Sequence, residues 1–119
     1  MSSKGQKDTT DEALMSRLKG GDDLALDVLM TRWEKPLIRF ILRYTNNHSD
    51  AIELAQETFL KVYLNRTRYK SNGKFSTWIF TIAVNLAKNQ VRWKIRHPST
   101  VTQKKQDAPE NDIIDTEHQ

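Results

Sequence analysis

Residues 75–97 read FSTWIFTIAVNLAKNQVRWKIRH, and their periodicity decides the fold. Apolar side chains at Phe75, Trp78, Ile79, Ile82, Ala83 and Leu86 recur in the three- and four-residue steps of one helix face. Thr81, Asn85, Lys88, Arg92 and Arg96 repeat with the same rhythm on a second face, which is polar, positive and free of acids. Asn and Arg can make two hydrogen bonds at once to a base edge, and Lys and Arg pair with phosphate. One helix is thus expected to be pinned to a core on one side and to offer nucleic-acid chemistry on the other. Pro98 ends it, because proline disfavours helix in the residue before it.

The charge around this helix is segregated. Residues 1–57 carry 8 Lys or Arg against 10 Asp or Glu, residues 58–106 carry 11 bases and no acid, and residues 107–119 carry 5 acids and no Lys or Arg. A solvated surface normally mixes signs, so the acid-free block reads as the footprint of a polyanion rather than as a basic surface kept for solubility. Within it, residues 65–74 (NRTRYKSNGK) form a polar loop with Arg66, Arg68, Lys70 and Lys74 around one aromatic, Tyr69. Such a flexible positive segment would offer a stacking surface. Single-stranded bases stack on aromatics while a basic groove follows the backbone. Phe75 and Trp78 admit the same role, or plain core packing with Ile79 and Ile82. Trp93 breaks the apolar rhythm and would cap the core edge.

Upstream, three more segments read as helical. Thr10 or Asp11 caps a short helix burying Leu14, Met15 and Leu18, and Gly20 and Gly21 end it. Asp22 and Asp23 open a second, with apolar positions Leu26, Leu29, Met30, Trp33, Leu37, Phe40, Ile41 and Tyr44. Pro36 inside this pattern should kink or split it, giving one long bent helix that ends near Tyr44. After the polar break at 45–49, Asp50 begins DAIELAQETFLKVYLN, with Glu53 placed to complete a capping box. Ala51, Ala55, Phe59, Val62 and Tyr63 give its core stripe. Glu53, Gln56, Glu57, Leu60, Lys61 and Leu64 lie opposite, as a solvated face or a protein-docking strip. No strand alternation and no internal repeat is present, so the fold is expected to be all-α. The expected organisation is a disordered N-terminus (1–10), one helical domain (11–97) and an acidic linker or tail (98–119).

Several function classes are excluded or disfavoured. The chain has no cysteine, hence no disulfide, thiolate or zinc–cysteine chemistry. No apolar run approaches the ~20 residues of a membrane span, and no secretory signal opens the chain, so a cytoplasmic protein without membrane insertion is expected. There is no Gly-rich phosphate loop and no catalytic constellation. His48, His97 and His118 fall at a break, a helix end and the tail. Asp50, Glu53 and Glu57 have metal-like spacing but no His or second acidic helix to complete a site. We therefore expect no enzyme, cofactor or metal.

The paired motifs D-A-x-E-x-x-Q-E-x-F (from Asp50) and F-x-T-W-I-x-x-I-A-x-N (from Phe75), at this separation and after a short helix ending in GGD, resemble the second conserved region of bacterial RNA polymerase sigma factors of the extracytoplasmic-function type. The resemblance covers residues 11–97. It implies a compact bundle of three to four helices with flexible termini, without enzymatic activity. It implies that the Asp50 helix docks on the clamp coiled coil of the largest subunit of core RNA polymerase through Asp50, Glu53, Gln56 and Glu57, and Leu60 lies on the same face. It further implies that Phe75–Arg96 lies on the non-template strand of the promoter −10 element and helps to open it. Asn85 matches the position contacting a flipped base, and the 65–74 loop the segment whose pocket receives one. Lys88, Asn89, Arg92 and Arg96 would hold phosphates or neighbouring base edges. An anti-sigma factor is an implied regulator.

Members of this type normally carry a second, −35-binding domain, and nothing after His97 is expected to build one. Two rivals stand beside this reading. A stand-alone helix-turn-helix regulator would need a turn of three or four residues before the recognition helix, and 65–74 is longer. A protein-interaction module would bind polymerase or an anti-sigma factor without touching DNA.

Overall fold

The computed structural model describes residues 9–70 and 72–98. Four α-helices follow in order: α1 (Asp11–Lys19), α2 (Leu24–Thr45), α3 (His48–Leu64) and α4 (Phe75–Arg96), with a single 3₁₀ turn, Arg66–Arg68, between the last two. No strand occurs among the described residues, which bears out the all-α expectation. The proposed tail beyond residue 98 and most of the proposed disordered N-terminus lie outside the described residues.

Local chemistry sets the ends of these helices. Thr10 caps α1, its hydroxyl oxygen accepting from the Ala13 amide at 3.0 Å. Gly20 closes it by donating to the Ser16 and Arg17 carbonyls, and Gly21 takes φ 104°, a left-handed conformation that costs glycine nothing. Of the two aspartates expected to open α2, Asp22 does so, accepting from the Leu24 amide at 3.2 Å. The Asp23 side chain makes no capping bond. Pro36 does not split α2, which runs unbroken for 22 residues. Leu29 on one side of it and Leu37 and Ile41 on the other are fully buried, so packing holds both halves in one helix across the missing donor. Asn46 ends α2 in the left-handed region, φ 52°.

The start of α3 differs from expectation. Asn47, not Asp50, is the capping residue, its side-chain oxygen accepting from the Asp50 amide at 2.9 Å. Asp50 therefore sits inside the first turn, and the capping box with Glu53 does not form. An Asn three residues ahead of Asp50 reaches the Asp50 amide, the donor that the capping box would have left to the Glu53 side chain.

Helix α2 packs against each of the other three helices, and α3 packs against α4 as well. The core gathers Leu14, Met15 and Leu18 of α1, Leu29, Leu37 and Ile41 of α2, Ala51 and Val62 of α3, and Phe75, Ile79, Ala83 and Ala87 of α4, all fully buried. The buried line of α4 runs at strict four-residue steps from Phe75 to Val91. Trp78, Ile82 and Leu86 flank it half-buried rather than forming its centre. Ala83 and Ala87 keep α4 close to its neighbours, while Trp33 makes edge-to-face contacts with Phe75 and Phe80 at 6.0 and 5.6 Å. Phe75, with no exposed surface, contributes about 1.5–3 kcal/mol through burial.

Candidate nucleic-acid interface

The polar face of α4 forms as the periodicity requires. Thr81, Asn85 and Arg96 are exposed and Lys88 and Arg92 half-exposed, so all five share a solvent-facing strip opposite the buried line. Asn89 is exposed beside it, and its side-chain oxygen accepts a short hydrogen bond from the Arg92 guanidinium. That bond holds the planar fork of Arg92 across the surface. Asn85 stands on the same strip with its amide open to solvent.

A recess opens between the 65–74 loop and the end of α1. Its walls are Lys19, Thr67, Arg68, Tyr69, Lys70 and Asn72, and its volume is about 670 Å³, the size of a small-ligand pocket. Three cationic side chains in an open concavity create a field that favours an anion or an electron-rich base edge. Lys19 is the wall residue that sequence reasoning missed. It precedes Gly20 at the end of a helix 50 residues away from its hydrogen-bond partner, and no local spacing signals that encounter.

Several expected contacts take other roles. Tyr69 is not a flexible stacking surface: only 3% of it is exposed. Its ring packs against Trp78 and Phe75 at 5.1 and 6.2 Å, and its hydroxyl donates to the Gly73 carbonyl at 2.8 Å. Burial raises its phenol above the ordinary value of 10.0, and the carboxylates of Glu12 and Asp11 raise it further. Phe75 is core, so of its two readings packing holds and stacking on a base does not. Trp78 is half-buried against Tyr69. Arg66 folds back on α3, donating to the Tyr63 carbonyl at 2.8 Å with its guanidinium 4.2 Å above the Tyr63 ring. Arg68, Lys70 and Lys74 stay exposed. Trp93, expected at the core edge, is 42% exposed and stacks on His97 at 4.2 Å.

A second surface lies on α3. Glu53, Gln56, Glu57 and Leu60 are exposed on one face, as expected, and Leu60 and Leu64 show more than half of their surface to solvent. Leu24 and Met30 of α2 border a shallow groove with Gln56, Phe59 and Leu60. Asp50 does not belong to this face. It is 1% exposed, and its carboxylate is hydrogen-bonded to the Lys94 ammonium of α4. The expectation that Asp50 contacts a partner is corrected by that burial: a carboxylate turned into the bundle finds its cation inside. Among the described residues, no group of three His, Asp or Glu side chains converges as metal ligands, and no helix is long and apolar enough to cross a membrane.

Comparison with known proteins bears on both surfaces. Residues 29–96 match the Sigma-70 region 2 family, which spans the α3 face and the α4 strip and leaves α1 outside. The chain is 32% identical over 88 residues to the RNA polymerase sigma-H factor of Pseudomonas aeruginosa, covering 74% of this chain and 46% of that protein. It is 32% identical over 104 residues to the ECF RNA polymerase sigma-E factor of Haemophilus influenzae, covering 87% and 54%. With the sigma-E factor of Escherichia coli it shares 33% over 89 residues, covering 75% and 46%. The chain thus spans about half the length of the curated relatives it matches. Among solved structures it resembles the NMR structure of an engineered region 2 of sigmaE in complex with GTAAAA, with a TM-score of 0.70 and 35% identity, over 74% of this chain and 92% of that one.

Proposed function

The chain belongs to the Sigma-70 region 2 family, and from that premise we propose that it acts in transcription initiation by binding core RNA polymerase and by recognising and helping to open the promoter −10 element. The observation that carries this reading is the single solvent-facing strip of Asn85, Lys88, Arg92 and Arg96 along α4, in a chain that also holds a cationic recess lined by Lys19, Arg68 and Lys70. A base leaving the stack costs a few kcal/mol, least where the duplex opens easily, and a pocket can then read its Watson–Crick edge. In this reading the recess receives an extruded base, Asn85 contacts a flipped base of the non-template strand, and Lys88, Asn89, Arg92 and Arg96 hold phosphates or neighbouring base edges. That the engineered region 2 of sigmaE was solved in complex with GTAAAA supports a nucleic-acid ligand.

The α3 face supplies the other half. Glu53, Gln56 and Glu57 surround the exposed Leu60, an apolar centre with a charged rim of the sort found at protein interfaces. The proposed partner is the clamp coiled coil of the largest polymerase subunit. An anti-sigma factor is a further proposed partner, on family grounds alone. The ten residues that separate α3 from α4, with their own 3₁₀ turn, disfavour a stand-alone helix-turn-helix protein, whose turn is three or four residues.

A paired measurement tests this. In a core-polymerase pull-down, the Gln56→Ala/Glu57→Ala variant is expected to lose retention, while Asn85→Ala/Arg92→Ala is retained normally. On single-stranded −10 DNA the pattern should reverse. Retention unaffected by the α3 changes would remove polymerase docking from the proposal. DNA binding unaffected by the α4 changes would leave a module that works through protein contacts only.

A further inference from the structure

The segment that walls the recess is held at both ends by one short helix. At its start, the Lys19 ammonium donates to the Tyr69 carbonyl at 2.9 Å. At its end, a Glu12 carboxylate oxygen accepts from the Phe75 amide at 2.8 Å. Glu12 and Lys19 are seven residues apart on α1, two turns along one face, which sets their backbones about 10 Å apart. Between the two contacts, Lys70 and Asn72 are exposed to solvent. Tyr69 reinforces this arrangement from within, through its hydroxyl bond to Gly73 and its burial against Trp78.

Both contacts answer a local need. Lys74, the residue preceding α4, makes no side-chain capping bond, and the first turn of α4 contains no acid. The positive end of α4 is therefore served by a carboxylate supplied from 63 residues away. Lys19 spends one of its three N–H donors on the Tyr69 carbonyl. Its side chain also lines the recess, so the two remaining donors are available to a ligand there. An acceptor on an extruded base, a carbonyl oxygen or a ring nitrogen, is the complement of those donors.

We propose that α1 is a working part of the recognition site: Glu12 and Lys19 clamp the two ends of the recess wall, and Lys19 donates to an acceptor on the edge of the base that enters the recess. The inference rests on the promoter-opening function proposed above. It assigns a specificity role to a helix outside the family-matched residues 29–96. Lys19 is the binding residue, and Glu12 is a positioning residue that acts through the Lys74–Phe75 junction.

The test is selection from a single-stranded DNA library with a randomised hexamer, run in parallel on the unaltered chain and on Lys19→Met, Lys19→Arg, Glu12→Ala and Glu12→Gln. The unaltered chain should enrich one base at the position that enters the recess. Lys19→Met should reduce that preference roughly fivefold, the usual scale of one net hydrogen bond, with the other positions unchanged. Lys19→Arg, which keeps charge and donors, should retain most of it. Glu12→Ala should blur the same position and speed amide exchange at Phe75, and Glu12→Gln, which keeps an acceptor, should restore both. Thermal unfolding of each variant separates lost specificity from a lost fold, and the conservative variants cover any failure of the others to fold. If the unaltered chain shows a base preference that Lys19→Met and Glu12→Ala reproduce, the clamp is overturned and the promoter reading stands. If the unaltered chain enriches no sequence, the promoter reading fails and the clamp's role falls with it.

Discussion

Replacing Lys94 with methionine should unfold this bundle far more readily than its surface position on α4 suggests. Lys94 and Asp50 form an ion pair between α4 and α3, and their side chains are only 14% and 2% exposed. Methionine keeps most of the apolar stem and removes the ammonium. The Asp50 carboxylate then stays in the bundle without the Lys94 ammonium, on a side chain too short to reach water. Breaking a buried pair from one side costs about 3–5 kcal/mol. The first turn of α3 offsets about 1 kcal/mol of this, because its free amides favour a negative charge there. We expect Lys94→Met to cost about 3 kcal/mol, which for a domain of this size lowers Tm by about 12–24 °C. Asp50→Asn should cost less, about 1–2 kcal/mol, because the longer lysine can swing its charge into solvent. With both charges gone, Asp50→Asn/Lys94→Met should be more stable than Lys94→Met alone. Urea unfolding followed by helical circular dichroism measures all four chains, and the double-mutant cycle should return a coupling of at least about 1 kcal/mol. A Lys94→Met variant within about 0.5 kcal/mol of the unaltered chain, or strictly additive single changes, would refute the claim that this pair holds the two helices together.

The basic strip and the buried Tyr69 give two further outcomes. Arg68, Lys70, Lys88, Arg92 and Arg96 all reach solvent around the recess and strip; if four or five of them meet phosphates, log affinity for single-stranded DNA should fall against log salt with a slope of about −3, at roughly 0.7 per contact, and a flat titration would remove the basic block from the interface. Tyr69, whose pKa lies above the ordinary 10.0, favours the folded state in its neutral form, so its contribution is complete below pH 10 and is lost as pH rises through the higher folded value. Tyr69→Phe should therefore lose about 1 kcal/mol at neutral pH with the Gly73 hydrogen bond and show a shallower loss of stability above pH 10, measured by urea unfolding between pH 8 and 11; equal slopes in the two chains would contradict this assignment.

The two faces of α4 were legible because a helix places residues three and four apart side by side, whatever surrounds it. Thr10, Gly20 and Gly21 were readable for the same reason, since capping and left-handed turns are settled within a few residues. The exposed acid-and-leucine face of α3 also follows from spacing alone. What spacing cannot say is which helix meets which. Asp50 looks like a cap or a docking acid until α4 brings Lys94 against it, 44 residues on. Tyr69 reads as an exposed ring in a polar loop, and only the packing of that loop on Trp78 turns it inward. The wall of the recess depends on Lys19 and Glu12, each more than 45 residues from the atom it holds. The order of residues along the chain thus determined the helices and the chemistry each one carries. The tertiary structure decided which charges are spent inside the bundle and which remain for a ligand, because a charge buried on folding must find its partner among groups that the backbone delivers from elsewhere.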